Sequence, residues 1–167
     1  MSEKVAALYL KDMRQQLRGL KTLADRALSQ MKDEELPVEI DEESNSITIL
    51  MKHVSGNMTT LWTSPLAPAE ERPARHRDLE FTLTDEDTRE AVTERWNKAW
   101  SALFKTLDGL KAEDLTGTTT IRGNDSTLME VLNGQYRHYA VHVGQIVLLA
   151  KHFRATDWDS LSVPRKR

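Results

Sequence analysis

Residues Gln135 to Lys151 read QYRHYAVHVGQIVLLAK. Within this run and just before it, Leu128, Val131, Leu132, Tyr139, Ile146 and Leu149 fall three, four or seven positions apart along one stripe, the spacing of an amphipathic helix. Asp125 or Ser126 is placed to cap that helix, and the pattern continues to about Phe153. Val131, Gln135, His138, His142, Gln145 and Leu149 succeed one another along the line that faces the core, so both histidines point inward. Two imidazoles four positions apart on one helix face have Cβ atoms about 6 Å apart, close enough to chelate one ion. The ordinary alternative is a pair of packed, hydrogen-bonded core histidines.

Three more helices are predicted upstream. From Glu3 to Met31, Val5, Leu8, Met13, Leu17, Leu20, Leu23 and Leu28 form an apolar stripe between charged residues. An acidic stretch without period, Lys32 to Glu43 around Pro37, ends it. Ser44, Asn45 and Ser46 offer caps for a second helix running from Ile47 to about Trp62, with Leu50, Val54, Met58 and Leu61 inside. On this helix Ser46, Leu50, His53 and Asn57 share a face, so His53 can meet the histidine pair across the core. Thr84 to Asp87 reads as a capping box for a third helix reaching about Leu110, with Val92, Trp96, Ala99, Trp100, Leu103, Phe104 and Leu107 buried. TGTTTIRG, Thr116 to Gly123, has strand-like threonines but is too short and isolated to build a sheet, and Gly123-Asn124-Asp125 reads as a turn.

Four amphipathic helices without a sheet predict an all-α four-helix bundle forming one domain over residues 1–167, and a hydrophobic fraction of 39% is enough for one core but not two. The connection from Ser64 to Leu83 could span roughly 60 Å, whereas a helix of about 17 residues is only ~26 Å long. A crossover between the second and third helices, leaving them parallel, is therefore open. The charge cluster in that connection, with Arg72, Arg75, His76, Arg77, Asp78 and Glu80, reads as solvated side chains in exposed ion pairs, although its length also suits a functional lid.

The chain has no cysteine, so a metal must be held by His, Asp or Glu, and any thiol chemistry needs a thiol from outside. A net charge of −3 argues against nucleic acid as a partner. The Arg165-Lys166-Arg167 run reads as a solvated tail. No apolar stretch predicts a membrane span or an export signal, so a cytoplasmic protein is expected. HExxH and Glu-x-x-His signatures are missing, as are a phosphate-binding glycine loop and the context of a catalytic serine. His152 is rotated about 80° from the His142 face, His76 sits in the charged loop, and the four tryptophans read as core or interface aromatics.

Three stretches, NSITILMKHVSGN from Asn45 to Asn57, RHRDLEF from Arg75 to Phe81, and QYRHYAVHVGQIVLLAK from Gln135 to Lys151, together resemble the DinB/YfiT-like superfamily, especially its branch of bacterial proteins of unknown function. The likeness runs in order through nearly the whole chain. It implies an up-down-down-up four-helix bundle, frequent homodimers, and a three-histidine metal site carried here by His53, His138 and His142. It also implies a divalent ion, zinc, nickel or similar, and a small-molecule substrate. Characterised relatives include metal-dependent transferases that use bacillithiol or mycothiol. Three functions stay open: transfer of a low-molecular-weight thiol of bacillithiol, mycothiol or glutathione type onto an electrophile, metal-dependent hydrolysis, or non-catalytic binding. Asn57, Gln145, Arg75 and Arg77 are the candidates for positioning either the ligands or the substrate.

Overall fold

The computed structural model describes residues 2–67, 69–121 and 123–163; Pro68 and the basic run after Pro164 lie outside the described residues. Helix α1 spans Glu3–Leu28, α2 Ile47–Trp62, α3 Arg89–Gly109 and α4 Leu128–Arg154, and strands β1 (Thr118–Ile121) and β2 (Asn124–Thr127) pair as an antiparallel hairpin. The molecule is an all-α four-helix bundle carrying that hairpin as an appendage.

Each helix starts where a short hydroxyl side chain can satisfy an otherwise unpaired N–H of the first turn. Ser2 accepts from Val5 N–H, Ser46 from Ile49, Thr88 from Ala91 and Thr127 from Glu130. Two of these caps differ from the expected ones. Only half of the Thr84/Asp87 box forms: the Asp87 carboxylate accepts from the Thr84 N–H at 3.0 Å, but the Asp87 N–H bonds the Thr84 carbonyl rather than its hydroxyl, which closes a separate turn, and α3 begins only after Thr88. Asp87 is drawn into that turn because Lys52 and Arg95 also converge on its carboxylate, at 2.6 and 3.1 Å. At α4 the cap is Thr127, reciprocated by Glu130, because Asp125 and Ser126 are used in β2 opposite Thr120 and Thr119. Gly123, at φ +79°, permits the tight turn between the strands. Helix α1 stops at Leu28; Gln30 and Met31 then bond back three residues, to Ala27 and Leu28.

Cross-helix contacts fix the direction of every helix. Near the start of α2, Lys52 meets Asp87, and at its end the Trp62 carbonyl accepts from Thr106, so α2 and α3 run parallel. Tyr9 reaches Met129 and Asn133 while Gln30 reaches Asp159, so α1 and α4 are parallel too. Arg14 on Leu107 and Lys21 on Asn97 set α1 against α3 in the opposite sense. The order is up-down-down-up, and residues 63–88 make the crossover.

Trp62, Trp96, Trp100 and Tyr139 fill the centre, each at most 1% exposed, with Leu17, Leu50, Met58, Leu103 and Leu107 around them; Trp158 packs at the margin. None of the described helices is long and apolar enough to cross a membrane.

Candidate metal centre

His53 lies mid-way along α2 on the stripe that buries Leu50 and Val54, and is itself only 7% exposed. His138 and His142 occupy consecutive turns of α4 on the side facing α2, both half-buried. Because α2 and α4 face each other here, the three rings meet, with centroid separations of 4.6 to 5.2 Å. One nitrogen from each lies within 4.8 Å of the others, and the His53 and His138 Nε2 atoms approach to 3.1 Å. Two nitrogens bound tetrahedrally to one zinc-sized ion at about 2.0–2.1 Å would be roughly 3.4 Å apart, so the spacing fits a shared ion.

The remaining ring nitrogens strengthen that fit. His53 Nδ1 is 3.0 Å from Glu80 Oε2, and His142 Nδ1 is 2.7 Å from Gln145 Oε1. With the proton on Nδ1 donated to those oxygens, each Nε2 keeps its lone pair for the centre of the cluster. Burial holds the His53 imidazole below its ordinary pKa; the Glu80 hydrogen bond opposes this, and His142 and Arg75 add to it. The neutral form, the one that ligates a metal, is therefore favoured.

Glu80 is placed by an unusually complete set of contacts. It lies in the short turn Arg77–Phe81, is 8% exposed, and receives the Arg75 guanidinium as a fork, 2.7 Å from Nε to Oε1 and 2.7 Å from Nη2 to Oε2. Gly56 of α2 makes room for it, since a Cβ there would sit 2.1 Å from Glu80 Oε1. The expectation of a solvated charge cluster is thus overturned for Arg75 and Glu80, and also for Arg72, which hydrogen-bonds the carbonyls of Ala67 and Thr120 and the Thr119 hydroxyl. Glu80 was not singled out from sequence. Its only signal was a carboxylate set between Leu79 and Phe81, an apolar flank unusual for a solvated acid.

The other named residues divide. Asn57 accepts a hydrogen bond from the Tyr139 hydroxyl at 2.8 Å, and Tyr139 in turn accepts from Trp62 Nε1. Burial pushes the Tyr139 phenol above its ordinary pKa against the pull of that Trp62 bond, so it remains a donor. Gln145 backs His142. Arg77 is exposed and stacks on Phe81, which in turn packs on the His53 ring at 5.0 Å, so it touches no ligand candidate. His152 packs on Phe153, away from the cluster, and His76 is exposed.

A family model described as "Protein of unknown function (DUF1572)" matches residues 4–167. The chain belongs to that family. DUF1572 is part of the DinB/YfiT-like superfamily, which accords with both the helix order and the His cluster. No curated protein matches this DUF1572 chain in sequence.

Beside the cluster of this DUF1572 member lies a cleft of about 600 Å³, walled by Asn57, Thr60 and Leu61 of α2, residues 72–75 of the crossover, Thr120 and Ile121 of β1, and Gly134, Gln135, Arg137 and His138 of α4. It reaches the cluster at His138. A second groove of about 420 Å³ lies on the far side of Pro73–Arg75, against Lys52, Gly56, Glu80, Arg95 and Lys98. Residues 73–75 line both and separate them.

Proposed function

We propose that the protein is a divalent-metal-dependent enzyme that transfers a low-molecular-weight thiol, of bacillithiol, mycothiol or glutathione type, onto an electrophile. The observation that carries this reading is the convergence of His53, His138 and His142, with Nδ1 of the first and last engaged by an oxygen, which leaves Nε2 of each to ligate. A divalent ion held by three neutral imidazoles keeps its full charge and supplies a Lewis acid that lowers the pKa of a thiol or water at an open position. His53, His138 and His142 are the proposed ligands; Glu80 and Gln145 fix the tautomers, Arg75 holds Glu80, and Asn57 lies on the substrate side. Arg77 is assigned no direct contact.

The thiol must come from outside, because the chain has no cysteine. In the transfer, the incoming sulfur bonds to the electrophilic carbon as the bond to the leaving group breaks. The leaving group departs with that electron pair, and the thiol proton passes to solvent. Hydrolysis at the same centre is the competing chemistry. It would gain from a carboxylate base beside the cleft, yet among the described residues that line it none is acidic. Low-molecular-weight thiols are kept reduced in the cytoplasm, which is where we place the enzyme. We also propose a homodimer, supported by the exposed Val5 and Leu8 of α1 and Val141 and Leu148 of the adjacent α4, side chains that a second copy would cover.

One panel of electrophiles assayed with and without each physiological thiol tests the reaction. Metal-loaded protein should show thiol-dependent turnover that His53→Ala loses. Cleavage of an ester or amide with no thiol added, and no gain on adding any, would replace the transferase by a hydrolase. Metal binding without either activity would favour a binding protein.

A further inference from the structure

Three arginines line the cleft beside His138, and they are not equivalent. Arg72 is consumed by backbone carbonyls and the Thr119 hydroxyl, and Arg75 by Glu80. Arg137 is exposed and, among the described residues, its guanidinium has no hydrogen bond or ion pair. With no acid among the described residues of the wall, its charge is uncompensated there. Gln135 supplies the second observation. Its Oε1 is buried and, among the described residues, has no hydrogen-bond partner, a state that costs free energy unless something donates to it. Gln135 and His138 are three residues apart on α4 and line one cleft, as does Arg137 between them.

An exposed arginine alone would be an ordinary solvated side chain, and an orphaned acceptor alone would be ordinary too. Together, on one wall of a cleft that ends at the His cluster, they describe a ligand. We infer that the cleft takes a small acidic molecule, its anionic group bound by Arg137 and, once a turn of the Gln135 side chain brings the buried Oε1 to the cleft wall, a neighbouring N–H or O–H donated to that oxygen. Leu61 and Ile121 give its carbon skeleton an apolar wall. A volume of about 600 Å³ suits a small molecule. Taking this molecule as a substrate rests on the metal-enzyme reading above; the binding itself does not.

N-acetyl-L-glutamate and its neutral diamide form a matched probe pair, because both carry an amide N–H and only one carries charge. Their affinities should be measured by calorimetry on zinc-loaded and on chelator-treated protein, with zinc content determined in each sample. Wild-type protein should prefer the acid by about tenfold or more, as expected of a charge-assisted contact. Arg137→Gln should abolish the preference, and Arg137→Lys should retain part of it. Gln135→Leu should weaken both probes alike, since it removes an acceptor that both use. Equal affinity for acid and diamide, binding of neither, or a preference that survives in Arg137→Gln would overturn the inference. If the acid preference holds in protein that takes up no zinc, the inference stands and the metal-enzyme reading fails. If zinc binds but the preference is missing, the reverse follows.

Discussion

Gly56 and Glu80 show how one missing side chain can be a requirement of the proposed metal centre. Gly56 is inside α2, where glycine costs about 0.5–1 kcal/mol relative to alanine, yet a Cβ there would overlap Glu80 Oε1. The Arg75 fork leaves that carboxylate little freedom to yield. Gly56→Ala should therefore push Glu80 away from His53 Nδ1 and lower zinc affinity by about 10–100-fold, the usual effect of losing a carboxylate behind a ligating histidine. Competition titration against a chromophoric chelator measures this, and an unchanged affinity would show that Glu80 does not orient His53. At this scale the sequence was only half legible. The inward face of His138 and His142 followed from helical phase, and that of His53 from its stripe. Glu80 and Arg75 sit in a crossover without period, where no spacing rule says which charged side chain turns inward.

At the scale of elements, α3 and α4 show where local signals mislead. Thr84 to Asp87 satisfies the pattern of a cap but makes only one of its two bonds, and tertiary partners decide its use: Asp87 serves Lys52 of α2 as much as its own turn. The Asp87 and Lys52 side chains are 4% and 9% exposed, so removing one leaves a nearly buried charge. Burial raises the pKa of Asp87, but the hydrogen bonds from Lys52 and Thr84 outweigh it and hold the carboxyl below its ordinary value. A depressed folded-state pKa means that the stabilisation is complete above the unfolded value near 3.9 and is lost as pH falls through the folded value. Asp87→Asn should thus cost roughly 3 kcal/mol at pH 7, and the gap between variant and wild type should close below about pH 4. Urea unfolding across pH reads both; a gap that stays constant down to pH 3 would contradict the assignment. Strand β1 coincides with the strand-like threonines, whereas β2 escaped prediction because Asn124 to Thr127 carry good capping residues, and only pairing with Thr118–Ile121 reveals them as a strand.

The whole molecule was the most legible level. Four apolar stripes gave the bundle, and the length of the crossover allowed the parallel α2 and α3 that Lys52–Asp87 and Thr106–Trp62 establish. That topology is what sets α2 against α4 and so brings His53, 85 residues from His138 in sequence, to 3.1 Å. An ion held only by the folded arrangement stabilises it, by about 2.7 kcal/mol at a free concentration of 100 Kd. Stripping metal should lower Tm while leaving helix content unchanged, and restoring zinc should reverse the loss. Elemental analysis of protein purified without a histidine tag, for wild type and four single variants, tests the central claim most directly. About one divalent ion per chain should be found in wild type, His76→Ala and His152→Ala, and most of it should be lost in His138→Ala and His142→Ala. No bound metal in wild type after incubation with zinc or nickel, or equal loss from His152→Ala, would contradict the three-histidine centre.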